Sequence, residues 1–316
     1  MRASILFVLG GLSVALVWVS GVSRGDENTI HLTRRRFLQD QNVEVTVGEK
    51  PFTVYHYWGT IPRPFFGPIF DRQGNIVTQA IAPPADHPRP NVRHDLGLSF
   101  AVDRVSGIDY WSDRGVILYF SLNTPNSTQG PAHMRVSNAW LDHRRERVLT
   151  ESTKVGIYPN RLLTYDATLK AEKKPVTFED TKDGLFGLRL VDSMSEAAGG
   201  KVVSSDGHHG TSECWGKSFD WVDYSGSVKG KTVGVALFDN PKNFRRSRFQ
   251  VGQDGLFSIS PFGEHAYTHG KNPAQAVHLA PGANLRLKYG IYVHDGDTKT
   301  ANVANVFRVY VAESRD

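Results

Sequence analysis

The stretch from Arg147 to Ala171 reads RVLTESTKVGIYPNRLLTYDATLKA. Its two halves, Arg147 to Ile157 and Leu162 to Ala171, alternate with a period of two and are rich in β-branched side chains, with Pro159 and Asn160 between them; that is a strand pattern. The same pattern recurs from Val43 to Val47, Phe52 to Trp58, Gly115 to Leu122, Met134 to Leu141, Leu185 to Val191, Thr232 to Phe238 and Leu285 to His294. Gly, Pro, Asn and Asp punctuate the series. Long antiparallel strands follow, and no dozen residues with helical spacing fall between them, which argues against βαβ units. The predicted fold class is all-β, a large antiparallel β-sandwich with one C-terminal helix. Asp297 or Thr298 is placed to cap that helix, which runs to Glu313 with Ala301, Val303, Phe307 and Tyr310 near one face. Asp71 to Asn75 reads as a hairpin loop, and Ala198-Gly199-Gly200 and Ser205-Asp206-Gly207 as tight turns.

Arg2, an apolar run from Ile5 to Val19 and the small residues Ser20 to Ser23 resemble a secretory signal peptide, with cleavage after Gly21 or Gly25; an uncleaved membrane anchor is the rival reading. Export to the periplasm or the extracellular space is therefore expected, with a membrane contact only through this segment if it is retained. Residues 26–316 are read as one β domain. Cys214 is the only cysteine of the 316 residues, so the fold must hold without an internal disulfide. A formal charge of +5, spread along the chain, is too diffuse to indicate nucleic acid.

Three clusters carry candidate chemistry. Asp86 to Asp95 packs two imidazoles, two guanidiniums and two carboxylates into a Pro-held loop, and a His beside a carboxylate is oriented for general-base work. His87, His94 and Asp95 are the catalytic candidates here, with Arg93 on substrate; a solvated charged loop is the plain alternative. Gly207 to Gly226 supplies Trp215, Trp221 and Tyr224 to stack on sugar rings, with Asp220 and Asp223 to take hydroxyl hydrogen bonds, Asp223 also as an acid or orienting group. The alternative is core aromatics and turn acids. His208, His209 and Glu213 are candidate metal ligands without a standard zinc spacing, so no cofactor is predicted and a metal ion stays open. Asn240 and Asn243 end a strand, where they either cap a turn or face a ligand. No nucleophile elbow, phosphate-binding loop, dinucleotide fingerprint or His-Glu-x-x-His is present. His265, His269, His278 and His294 are scattered singly and take no role.

The order of Arg63 to Ile69, Gly74 to Thr78, Asp86-His87-Pro88, Gly107 to Trp111, Trp215-Gly216, Trp221 to Gly226, Val235 to Pro241, Gly255 to Phe257 and Pro261 to Gly263 resembles the bacterial family catalogued as PmoA or domain of unknown function 6807, over roughly residues 40 to 295. The resemblance brings Trp111 into the candidate site and implies a galactose-mutarotase-like supersandwich, exported by carbohydrate-degrading bacteria. It implies no methane oxidation, which would need several membrane helices. Two departures stand out. Arg89 to Arg93 follows His87 where the family usually has histidines, so either His87 or His94 holds the family-like position. Gln250 stands where a histidine is usual.

Three readings follow. One is an exported enzyme acting on carbohydrate or a sugar derivative by His/Asp acid–base chemistry. A second is a non-catalytic carbohydrate-binding module, and a third an envelope interaction protein. The expected partner is a small-molecule or glycan ligand.

Overall fold

The computed structural model describes residues 26–36, 41–58, 61–79 and 97–314. Its strands, numbered in chain order, form two large sheets in which neighbours pair antiparallel. In order across the first sheet are β16 (Arg248–Val251), β17 (Leu256–Ser260), β12 (Gly184–Arg189), β5 (Leu98–Val102), β4 (Phe65–Ile69), β3 (Lys50–Trp58), β2 (Gln41–Val47), β1 (Thr29–Arg36) and β7 (Ser127–Gln129). The second holds β13 (Lys201–Ser204), β14 (Trp221–Val228), β15 (Lys231–Asp239), β19 (Asn284–Asp295), β10 (Leu162–Ala171), β9 (Arg147–Ile157), β8 (Ala132–Leu141) and β6 (Val116–Asn123). A small ladder joins β11 (Val176–Phe178) to β18 (Val277–Leu279).

Alternation decides which side chains meet between the sheets. From the first sheet come Phe100 and Phe186, from the second Tyr165 and Tyr289; the Phe100 and Tyr165 rings stack at 5.0 Å and those of Phe186 and Tyr289 at 5.6 Å. All four belong to one core that draws on both sheets. Within it lies Glu151, 1% exposed, which accepts hydrogen bonds from Trp140 Nε1 (2.9 Å), Tyr165 Oη (2.8 Å) and Thr153 Oγ1 (2.8 Å). Three donors satisfy a carboxylate that apolar surroundings would otherwise disfavour. Burial first, and the Glu151 charge second, hold the Tyr165 hydroxyl well above its usual pKa.

The outer face of the second sheet is covered at one end by α3 (Val303–Glu313), whose Val303, Phe307 and Tyr310 pack on Leu162, Trp221, Ala236, Phe238 and Tyr292. The expected cap is corrected here: α3 begins after Asn302, whose left-handed backbone (φ 51°) breaks the helix path. Asp297 instead accepts from the Thr300 amide at 2.8 Å, closing a turn before the helix. Two single-turn helices, α1 (Gly210–Cys214) and α2 (Glu264–Tyr267), are too short to show a helical period in sequence. Among the described residues no helix is long and apolar enough to cross a membrane. Cys214 is buried and free, and burial pushes its thiol up to about 11.

Candidate functional site

On the outer face of the second sheet, beside the start of α3, a cleft of about 800 Å3 opens. Strand β14 lends it Trp221 and Ser225, β13 lends Lys201 and Val203, and the segment after β19 lends Asp297, Thr298, Lys299 and Asn302. Glu196 and His209 complete the rim. Glu196 is already engaged, accepting from the Thr211 amide at 2.9 Å and from the Thr211 hydroxyl. Trp221 is 8% exposed, so its indole forms wall rather than tip.

Asp223 lies between Trp221 and Ser225 on the same face of β14 and is fully buried. Its Oδ1 is 3.0 Å from His294 Nε2 and its Oδ2 accepts from Thr298 Oγ1 at 2.5 Å. His294 sits two strands away, and β15 between them offers Gly234 opposite His294 and Ala236 opposite Asp223. A Cβ at Gly234 would fall 2.2 Å from His294 Cε1, so the missing side chain is what lets the imidazole reach across. Burial alone would lower the His294 pKa; the Asp223 charge and hydrogen bond, with the Asp295 carbonyl, outweigh it, and the net direction is upward. The pair thus fixes Thr298, and with it one wall of the cleft.

The other residues singled out in sequence scatter. His209 reaches the cleft, but Glu213 spends Oε2 on the His209 backbone amide (2.9 Å), a bond that lowers its pKa, and His208 lies against Phe219. Among the described residues no group of three or more His, Cys, Asp or Glu side chains is arranged to hold a metal ion. Tyr224 points to the opposite face of β14, where its hydroxyl accepts from the Glu196 amide (2.6 Å) and donates to the Gly252 carbonyl (3.1 Å). Trp215 stacks on His269 at 4.8 Å, Asp220 pairs with Arg246 at 2.8 Å, and Trp111 is buried under the Arg63 guanidinium. Asn240 and Asn243 build a turn. Asn240 Oδ1 accepts from the Lys242 amide (3.0 Å), while Asn243 Nδ2 donates to Asp239 Oδ1 and the Lys288 carbonyl, both at 2.9 Å. The buried Asp239 at their centre is pushed up to about 6, burial outweighing these bonds.

His87, Arg93, His94 and Asp95 lie outside the described residues. The described ends beside them, Gln79 and Gly97, meet the first sheet at Arg189 and Phe66. Two residues further along runs a cross-strand row on the face away from the core: Gln250, Ser258, Gly187, Ser99, Phe65, His56 and Asn42. Gln250 Oε1 accepts from Ser258 Oγ at 3.1 Å, so the position where a family histidine is usual is here a neutral hydrogen-bonded amide.

Sequence reasoning missed His294, Thr298 and Lys201. For His294 the one readable signal was a glycine, Gly234, inside an otherwise β-branched run; a strand glycine marks a close approach.

A family model described as family of unknown function DUF6807 matches residues 42–308. No curated protein matches the sequence. Among solved structures, the chain is similar to galactose 1-epimerase from Lactobacillus acidophilus NCFM (TM-score 0.45, 9% identity, 86% of this chain and 100% of that one). A β-arabinopyranosidase is similar at a TM-score of 0.43 and 9% identity, over 84% of this chain and 38% of that chain. A GalM/aldose epimerase homologue from C. elegans gives 0.36 and 8%, over 85% and 100%.

Proposed function

Starting from the fact that the chain belongs to the DUF6807 family of unknown function, we propose that it holds a carbohydrate or sugar derivative in the cleft above Asp223. One observation carries the reading: a hollow of about 800 Å3 combines an indole wall, Trp221, with hydroxyl, amide and ammonium groups from Ser225, Thr298, Asn302 and Lys201. Its volume lies in the range of small-ligand sites, which pair an apolar wall with a few placed polar groups. Indole presents an apolar face to the C–H side of a sugar ring while the rim groups exchange hydrogen bonds with hydroxyls.

Asp223 enters as a positioning residue, because both its oxygens are occupied and it is fully buried. Acid–base catalysis by His87, His94 and Asp95, with Arg93 on substrate, is a separate proposal that rests on the loop's composition, since the described ends of that loop meet the first sheet and the cleft lies on the second. Export, proposed from residues 2–25, would set the cleft before extracellular or periplasmic glycans.

A glycan array followed by calorimetry on the full chain tests the reading, with product analysis of every bound glycan. The expected result is saturable binding that weakens in Lys201→Ala and Trp221→Phe. Binding that both variants leave unchanged would place the ligand elsewhere and overturn it. Binding without turnover supports a non-catalytic module in the same cleft.

A further inference from the structure

A second hollow, of about 420 Å3, opens where three turns meet at one end of the sandwich: residues 47–50 between β2 and β3, 71–74 after β4, and 158–161 between β9 and β10. Its charged lining is Glu27, Glu49, Lys50, Arg72, Arg161 and Asp295. All of these are exposed except Arg161, which is 2% exposed. The rim carboxylates are screened by solvent, whereas the guanidinium is not.

Arg161 Nη1 donates to the Pro51 carbonyl at 2.8 Å and the Phe70 carbonyl at 3.0 Å, and its guanidinium lies 5.4 Å from the Phe52 ring centre. No carboxylate among the described residues reaches ion-pair distance of it. Asp71 accepts from the Gln73 and Asn75 amides and from Asn75 Nδ2, and Asp295 accepts from Gln73 Nε2, while Glu27 and Glu49 stand on the exposed rim. Two carbonyls take Nη1, which leaves the Nε and Nη2 hydrogens of the five-donor fork without an acceptor among the described residues. Burial, and next the neighbouring Arg72 charge, lower the Arg161 pKa to about 10, outweighing the more distant Asp71 and Asp295 charges, which raise it. Arg161 sits at φ 68°, a left-handed position where glycine or asparagine is the easier choice.

We propose that this hollow is an anion site, in which the oxyanion group of a small ligand docks on the free Nε–Nη2 edge of Arg161 and Arg72 closes over it. A planar fork meets a carboxylate, sulfate or phosphate through two parallel hydrogen bonds, and a desolvated guanidinium with no carboxylate at contact distance among the described residues gains most from such a partner. The hollow is larger than a bare oxyanion needs, so the anionic group belongs to a small organic body.

The test is thermal unfolding and calorimetry of the full chain with inorganic phosphate in one arm and glucuronate in the other, each against sodium chloride of matched ionic strength. A saturable rise in Tm beyond the chloride control is expected in at least one arm; phosphate alone assigns a phosphate- or sulfate-bearing ligand, and glucuronate alone a carboxylate. Arg161→Gln should abolish binding and Arg72→Gln weaken it by about tenfold or more. No saturable response in either arm overturns the site, as does unchanged affinity in Arg161→Gln. Should that variant fail to fold, unchanged affinity in Arg72→Gln, whose side chain is exposed, overturns it instead.

Discussion

His294 and Asp223, 71 residues apart in sequence, meet at 3.0 Å in a buried contact two strands across that is an ion pair when the imidazole is protonated, with Thr298 on the other carboxylate oxygen. Its energy is a function of pH, and its geometry fixes the wall of the cleft.

Because the His294 pKa is raised in the fold, its contribution to stability is fully present below the unfolded value of about 6.5 and is lost as pH rises through the folded value. Asp223→Asn removes the charge that raises the His294 pKa, so the buried ring gives up its proton on folding, and a loss of about 1–3 kcal/mol is expected near pH 5.5. The gap to the natural protein should narrow as pH rises toward 9. Urea unfolding at half-unit pH steps reads this directly, and a gap independent of pH would sink the ion-pair assignment.

Gly234→Ala should destabilise by about 1–3 kcal/mol, through overpacking against the His294 ring. The sign is informative, since glycine to alanine inside a strand ordinarily helps by about 0.5–1 kcal/mol. In a double-mutant cycle with His294→Ala the penalty of the added methyl should largely vanish.

Glu151→Ala leaves Trp140, Tyr165 and Thr153 without their shared acceptor between the sheets, and a loss of about 3 kcal/mol or more is expected. Glu151→Gln keeps one carbonyl oxygen in place and should recover part of that loss. Chemical denaturation of the two variants side by side separates lost hydrogen bonding from lost packing; equal losses would count against the network.

For whichever glycan binds, Trp221→Phe should weaken affinity by about tenfold while α3 stays packed on Leu162 and Phe238, as near-ultraviolet circular dichroism will report. His94→Ala should lower turnover by about a hundredfold and leave binding intact. A variant that binds and turns over normally removes His94 from the reaction.

Much of the scaffold was legible. Strands β9 and β10 fall where the alternation placed them, because each buries one face and the period of two is written into Leu149, Thr153 and Val155. Strands β16 and β17 escaped notice: four and five residues long and almost wholly buried, they show no alternation to count. The candidate site was legible only in part. Trp221 and His209 line the cleft, but Tyr224 shows the limit of reading by proximity, since adjacent strand residues face opposite ways. His294 and Arg161 could not be found from local spacing, because partnership at one and its lack at the other are set by strand pairing and turn packing.

Strand β19 lies between β15 and β10, so the second sheet is joined through the last of the described strands to leave the ribosome. Until residues 284–295 emerge, β13 to β15 and the group from β10 to β6 are two sheet fragments, each with an open, hydrogen-bond-hungry edge. The second sheet can therefore be completed only after that strand is available, the last step in its assembly by chain order.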